Sequence, residues 1–160
     1  MKPKIDRRVR VLIVDDSRIY AETLGMLLGA DERIEIIGYA EDGVAGVEQA
    51  LALRPDVVVM DIHMPLLDGI EATRRIRGRL RSTRVVVVTS SGTLGHRSHA
   101  LAAGAAAFLH KDAPLDQLAG TVAARELPLA SRFCMLLRWR ARSGAFAGKT
   151  FARSCGSWAR

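Results

Sequence analysis

Acidic and polar side chains follow four apolar runs of this 160-residue chain, at the point where each run ends. They are Asp15 and Asp16 after residues 11–14, Asp61 after residues 57–60, Thr89 after residues 85–88, and Lys111 after residues 107–110. Open α/β sheets carry their chemistry at the carboxyl ends of their strands. If the four runs are neighbouring strands, three carboxylates, a hydroxyl and an ammonium meet at one edge of a sheet.

This set of groups suits phosphoryl transfer beside a divalent cation. Mg2+ prefers oxygen ligands and is typically held by one or two carboxylates together with waters and phosphate oxygens. A bound cation would also offset the repulsion among Asp15, Asp16 and Asp61. A carboxylate can act as a nucleophile, and we assign that role to Asp61, which would form an aspartyl phosphate. Thr89 could hydrogen-bond a phosphoryl oxygen, and Lys111 could face it as a point charge.

Taken one at a time, these residues have ordinary structural explanations. Adjacent acids such as Asp15 and Asp16 commonly begin a solvated loop, and Asp61 could be a turn residue or a helix cap. Thr89 and Lys111 are uninformative alone. Their joint placement after four predicted strands is what favours a phosphoacceptor site.

Apolar blocks alternate with segments of helical periodicity, which indicates βα units and a parallel sheet. The predicted strands are residues 9–14, 34–39, 57–60, 85–88 and 106–109. The predicted helices begin near residue 17 and cover residues 42–53, 69–77, 96–103 and 114–126. Near-continuous valine runs are typical of strands buried on both faces. The periodicity also places Leu27, Val44 and Leu115 on the inward faces of their helices. The predicted fold class is α/β, with five parallel strands and five helices.

The net charge of +7 invites a nucleic-acid function, but its distribution argues against one. Residues 1–126 contain 17 basic and 17 acidic residues, whereas residues 127–160 contain seven basic residues and no acid. The whole excess therefore lies in the last 34 residues. A basic amphipathic segment at about residues 132–142 could touch a partner or an anionic membrane. We favour the alternative that the tail is disordered or an aberrant C-terminus.

Four stretches give the chain a strong resemblance to the receiver domain of two-component response regulators, over about residues 8–127. They are Val-Leu-Ile-Val-Asp-Asp-Ser (11–17), Pro-Asp-Val-Val-Val-Met-Asp-Ile-His-Met-Pro (55–65), Val-Val-Val-Val-Thr-Ser (85–90) and Phe-Leu-His-Lys (108–111). Residues 60–65, 68–74 and 111–114 look most like those of receivers of the NarL/LuxR type. The resemblance implies a flavodoxin-like, doubly wound sheet and a sensor histidine kinase or phosphotransfer protein as partner.

The resemblance also implies roles for individual residues. Asp61 would be the phosphoacceptor, and Asp15 and Asp16 the acids of an Mg2+ site that the backbone carbonyl of His63 completes. Thr89 and Lys111 would sense the phosphate. Phe108 would be the aromatic switch residue, acting with Thr89.

The predicted organisation is a leader over residues 1–8, a receiver domain over residues 9–127 and a basic tail over residues 128–160. No apolar run approaches the roughly 20 residues of a membrane-spanning helix. The N-terminus does not have the pattern of a signal peptide, so we expect a cytoplasmic protein.

Several functions fit this organisation. We predict a phosphorylation-controlled signalling receiver that is not an enzyme. The alternative is a NarL/LuxR-type transcription regulator that has lost its helix-turn-helix domain, and direct DNA binding is not expected without one. Asp15-Asp16-Ser17 weakly suggests a methylesterase with a receiver at its front, which would require a catalytic domain far longer than the tail. A nucleotide-binding domain is disfavoured because no glycine-rich loop follows the first strand.

Overall fold

The computed structural model describes residues 7–90 and 93–124, which all belong to one compact unit, Met1–Arg125. Within this part of the chain, five strands alternate with five helices. The strands are β1 Val9–Val14, β2 Ile34–Ala40, β3 Val57–Met60, β4 Arg84–Thr89 and β5 Ala107–His110. The helices are α1 Arg18–Gly29, α2 Gly43–Leu53, α3 Gly69–Arg79, α4 Leu94–Ala102 and α5 Leu115–Ala123.

The five strands form one parallel sheet in the order β2-β1-β3-β4-β5. This is the flavodoxin-like order of doubly wound sheets, so the predicted fold class is confirmed. In the ladders, Val14 pairs with Met60 and Met60 pairs with Val87. The carboxyl ends of β1 and β3 are therefore level with each other, and β4 runs two residues further, to Thr89. This register brings the residues after β1 and β3 and the end of β4 to one edge of the sheet.

Two apolar clusters, one on each face of the sheet, explain why the central strands are apolar at almost every position. Alternate residues of β3 divide between them: Val57 and Val59 pack with α1 and α5, whereas Val58 and Met60 pack with α2 and α3. Because successive side chains of a strand point to opposite faces, a strand covered on both sides has no position for a polar residue.

Side chains at the helix starts account for most of the helix boundaries. Ser17, Asp42 and Thr93 each accept a hydrogen bond from the backbone N–H three residues on, and Asp68 accepts two, from Ile70 and Glu71. Such caps satisfy N–H groups that have no partner within the helix.

Three positions predicted to face inward are substantially exposed: Leu27 by 47%, Val44 by 40% and Leu115 by 40%. Periodicity defines a helical stripe only to about one residue, and these three lie at the margins of theirs. Helix α3 also extends two residues beyond its predicted end, to Arg79.

Some predictions fall on parts of the chain that the structure does not describe. The boundary at residue 127 and the tail over residues 128–160 lie outside the described residues, as do residues 1–6 of the predicted leader. Among the described helices, none is long and apolar enough to cross a membrane.

Candidate phosphoacceptor site

Five of the predicted site residues lie at the carboxyl edge of the sheet. Asp15 and Asp16 follow β1, Asp61 follows β3, Thr89 is the last residue of β4 and Lys111 follows β5. The backbone bonding continues past the strands, since the Asp61 N–H donates to the Val14 carbonyl at 2.9 Å and the Lys111 N–H donates to the Thr89 carbonyl at 2.9 Å. These bonds fix where each of the two side chains leaves the sheet.

Three carboxylates meet at this edge. Ligand atoms of Asp15, Asp16 and Asp61 lie within 4.8 Å of one another. Asp15 is 3% exposed and Asp61 is 4% exposed, whereas Asp16 faces solvent. Two buried carboxylate oxygens beside an open side match the needs of Mg2+, which takes oxygen ligands and keeps several waters. The residues present therefore fit a hard divalent cation.

The ammonium of Lys111 bridges the two buried acids. Its Nζ lies 2.6 Å from Asp15 Oδ2 and 3.2 Å from Asp61 Oδ2. It also lies 4.3 Å from the centroid of the Tyr20 ring, within range of a cation–π contact. Burial by itself lowers the pKa of Lys111, but the hydrogen bonds and charges of Asp15 and Asp61 outweigh it, so the pKa is raised. Lys111 therefore stays charged.

The carboxyl group of Asp15 is balanced between opposing effects. Burial raises its pKa, while the hydrogen bonds from Lys111 and from the Ser17 N–H, the latter at 2.9 Å, lower it. Burial prevails, and the pKa lies above its ordinary value. Without a bound cation, the ionised form of Asp15 is thus disfavoured relative to a carboxylate in water.

The loop after β3 holds Asp61 closely. Asp61 Oδ1 accepts a hydrogen bond from the Ile62 N–H at 2.7 Å, and the Gly69 N–H donates to the Ile62 carbonyl at 2.9 Å. A side chain at Gly69 would place its Cβ 1.8 Å from the Asp61 carbonyl oxygen, so only glycine permits this approach. Leu66 in the same loop has a φ of 67°, which is uncommon outside glycine.

The remaining predicted residues differ in their exposure. Thr89 is fully buried. Phe108 is half-buried, packs against one of the two core clusters and lines a cavity of about 480 Å3 together with Leu94 and Arg97. The side chain of His63 is exposed, and its ring meets that of His96 edge-on, with centroids 5.4 Å apart.

Sequence reasoning missed two neighbours of the site. They are Tyr20, whose ring contacts Lys111, and His96, whose ring contacts His63. Tyr20 lies 91 positions before Lys111 and His96 lies 33 after His63. No local pattern links residues so far apart, so only the fold brings them together.

A parallel sheet in this strand order, with three carboxylates, a threonine and a lysine at its carboxyl edge, defines the class of phosphoacceptor domains used in two-component signalling. The family model described as the response regulator receiver domain matches residues 11–123, and the chain belongs to that family. A receiver domain implies a histidine kinase or a phosphotransfer protein as partner. Receiver domains bind Mg2+ at an acidic pocket of this kind.

Relatives and solved structures agree with that assignment. The chain is 45% identical over 114 residues to protein-glutamate methylesterase/protein-glutamine glutaminase 5 of Geobacter metallireducens, covering 70% of this chain and 32% of the relative. It is 43% identical over 129 residues to the corresponding protein of Symbiobacterium thermophilum, covering 79% and 35%. The response regulator domain of Thermotoga maritima CheB superimposes with a TM-score of 0.62 at 32% identity, covering 86% of this chain and 96% of that one. The receiver domain of NarL from Mycobacterium tuberculosis superimposes with a TM-score of 0.70 at 31% identity, covering 72% and 94%.

These relatives correct one prediction. We predicted a protein that is not an enzyme, and that prediction is wrong, because the curated relatives are named as enzymes. The chain spans about a third of their length. The alternative of a truncated NarL/LuxR-type regulator is not favoured, because curated methylesterases match at 43–45% identity.

Proposed function

We propose that Asp61 accepts a phosphoryl group from a histidine kinase or phosphotransfer protein, with Mg2+ held by Asp15, Asp16, Asp61 and the backbone carbonyl of His63. One observation carries the proposal: Asp61 is a buried carboxylate in contact with the ammonium of Lys111, whose side chain is 14% exposed, and close to two further acids. A carboxylate so placed is shielded from water and oriented by the Ile62 N–H and Lys111.

In the reaction, an Asp61 carboxylate oxygen forms a bond to phosphorus while the bond from phosphorus to the donor breaks. Mg2+, when bound, neutralises charge on the transferred group. The Lys111 ammonium already lies beside Asp61 Oδ2 and would pair with the new phosphoryl oxygens. The Thr89 hydroxyl would bond one of them, and Phe108, which lines a cavity together with Leu94 and Arg97, would repack in response.

The test is direct labelling. Incubation with acetyl phosphate and Mg2+ is expected to add one phosphoryl group per chain, and peptide mapping is expected to place it on the fragment that contains Asp61. Chelation of Mg2+ with EDTA should prevent the reaction. A label on another residue, or one acquired equally well in EDTA, would refute the assignment.

Mg2+ binding should also stabilise the fold before any phosphate arrives. A ligand that binds only the native state stabilises it by about 2.7 kcal/mol at a hundredfold excess over Kd. We expect the melting temperature to rise with Mg2+ in the wild type and not in an Asp15→Asn/Asp16→Asn variant. The control Glu32→Gln/Asp116→Asn removes two exposed acids elsewhere and should retain the response. Because the pKa of Asp15 is raised, Mg2+ affinity should fall as the pH drops through it. Equal rises of the melting temperature with Mg2+ in the wild type and in the Asp15→Asn/Asp16→Asn variant would exclude the metal site.

For the output, we infer that this receiver controls a methylesterase-type effector, because relatives of that name match at 43–45% identity over 106–129 residues. The catalytic chemistry would then lie in the two thirds of those relatives beyond the match. A chimera can test this, with residues 1–124 replacing the receiver of the Geobacter metallireducens protein. Phosphorylation should raise its methylesterase activity. A chimera that is phosphorylated without any change in activity would argue for a different output.

A further inference from the structure

The ammonium of Lys111 has a third contact at the phosphoacceptor site, and this contact is not an ion pair. Its Nζ lies 4.3 Å from the centroid of the Tyr20 ring, in addition to its contacts with Asp15 and Asp61. The side chain of Lys111 is only 14% exposed. The cation–π contact is therefore largely desolvated, which strengthens a contact of this kind.

The start of α1 fixes the position of Tyr20. Ser17 caps the helix, and its Oγ accepts a hydrogen bond from the Tyr20 N–H at 3.4 Å, while the Ser17 N–H donates to Asp15 Oδ1 at 2.9 Å. The ring of Tyr20 is half-buried and packs against the apolar cluster on the α1 and α5 side of the sheet. Hydrogen bonds and packing thus tie the ring to the loop that carries Asp15.

The three contacts of the ammonium differ in how they respond to a bound cation. Carboxylates that hold Mg2+ have less charge left for an ammonium, and two cations at this distance repel each other. The contacts of Lys111 with Asp15 and Asp61 therefore weaken as the metal site fills. The face of the Tyr20 ring carries no net charge and takes no part in metal binding, so its attraction for the ammonium persists.

We propose that Tyr20 is a positioning residue, which keeps the Lys111 ammonium at the site through the cation–π contact when Mg2+ occupies the carboxylates. The inference rests on the proposed phosphorylation of Asp61. Lysine has a flexible four-carbon stem, so an ammonium released from its carboxylates would otherwise turn into solvent. An ammonium held against the ring meets the incoming phosphoryl oxygens without first losing that freedom. This role needs the aromatic face of Tyr20 and not its hydroxyl group.

Phosphorylation of the full chain by acetyl phosphate and Mg2+ tests the proposal. Tyr20→Leu removes the ring and should slow incorporation at Asp61 about fivefold, a loss within the range of a desolvated cation–π contact. Tyr20→Phe keeps the ring and should restore most of the rate. The matched control is Tyr39→Leu, which changes the other tyrosine of the chain, 42% exposed in β2. The control should leave the rate unchanged even where it lowers the melting temperature.

A double-mutant cycle with Lys111→Met separates positioning of the ammonium from general support of α1. Because Tyr20 acts through the ammonium, Tyr20→Leu should cause no further loss in a chain that already lacks it. The same fivefold loss in both backgrounds, or a Tyr20→Phe variant as slow as Tyr20→Leu, would overturn the proposal. A wild-type chain that takes no phosphate at Asp61 would instead refute the proposed function, and the role of Tyr20 in the reaction would fall with it.

Nuclear magnetic resonance tests the contact without any phosphate. The chain contains four lysines, so the side-chain signals of Lys111 can be assigned by comparison with Lys111→Met. The ring current above an aromatic face shifts nearby protons upfield. The Hε protons of Lys111 should be shifted upfield in the wild type and in Tyr20→Phe, with saturating Mg2+ as well as without it, and not in Tyr20→Leu. Loss of the upfield shift when Mg2+ binds would show that the ring does not hold the ammonium, and the proposal would be wrong.

Discussion

Asp61→Asn is expected to abolish phosphorylation by acetyl phosphate while the protein remains folded. The amide has the shape of the carboxylate. Its oxygen can still accept the hydrogen bond from the Ile62 N–H, which is 2.7 Å long in the wild type. It lacks the nucleophilic anion. We expect incorporation to fall at least about a hundredfold, which corresponds to about 2.7 kcal/mol in the barrier. Time courses of phosphate incorporation with Mg2+ measure the effect.

The matched control is Asp56→Asn, the same substitution at the other end of β3. Asp56 does not belong to the acidic cluster, so this variant should incorporate phosphate at nearly the wild-type rate. Circular dichroism should show both variants folded. Wild-type incorporation by a folded Asp61→Asn variant would mean that the nucleophile is another residue.

Gly69→Ala is expected to cause the largest loss of stability among single-methyl changes near the site. The added Cβ would lie 1.8 Å from the Asp61 carbonyl oxygen and 3.0 Å from the Ile62 Cα, both backbone atoms that cannot rotate away. Either α3 or the end of β3 must move. Overpacking of this kind costs about 3 kcal/mol, or roughly 10 °C in melting temperature. Displacement of Asp61 should slow phosphorylation as well.

Gly78→Ala in the same helix provides the control. No atom lies within 4 Å of the Cβ that this change would add, and the position is exposed. Alanine there should stabilise the helix by about 0.5–1 kcal/mol. Thermal melts of the two variants should therefore shift in opposite directions. A Gly69→Ala variant as stable as the wild type would show that the loop after β3 adapts more freely than its contacts indicate.

The sequence by itself determined the fold class and the membership of the acidic site. Valine-rich runs specify strands covered on both faces, and a charged residue directly after such a run must leave the sheet at its carboxyl edge. The sequence alone therefore predicts that Asp15, Asp61 and Lys111 lie together. The output of the protein could not be predicted from the sequence in the same way. The receiver motifs carry out the same phosphoryl chemistry whatever output the protein has. For that reason they could not indicate an enzyme, and the prediction of a non-enzyme was wrong.

Only the tertiary structure decided which groups touch and how strongly. It placed Lys111 between two buried carboxylates and against the Tyr20 ring, and it is burial in that position that raises the pKa of Asp15. Contact energies and desolvation depend on distances between residues remote in the chain, and strand order and helix packing set those distances rather than any local pattern.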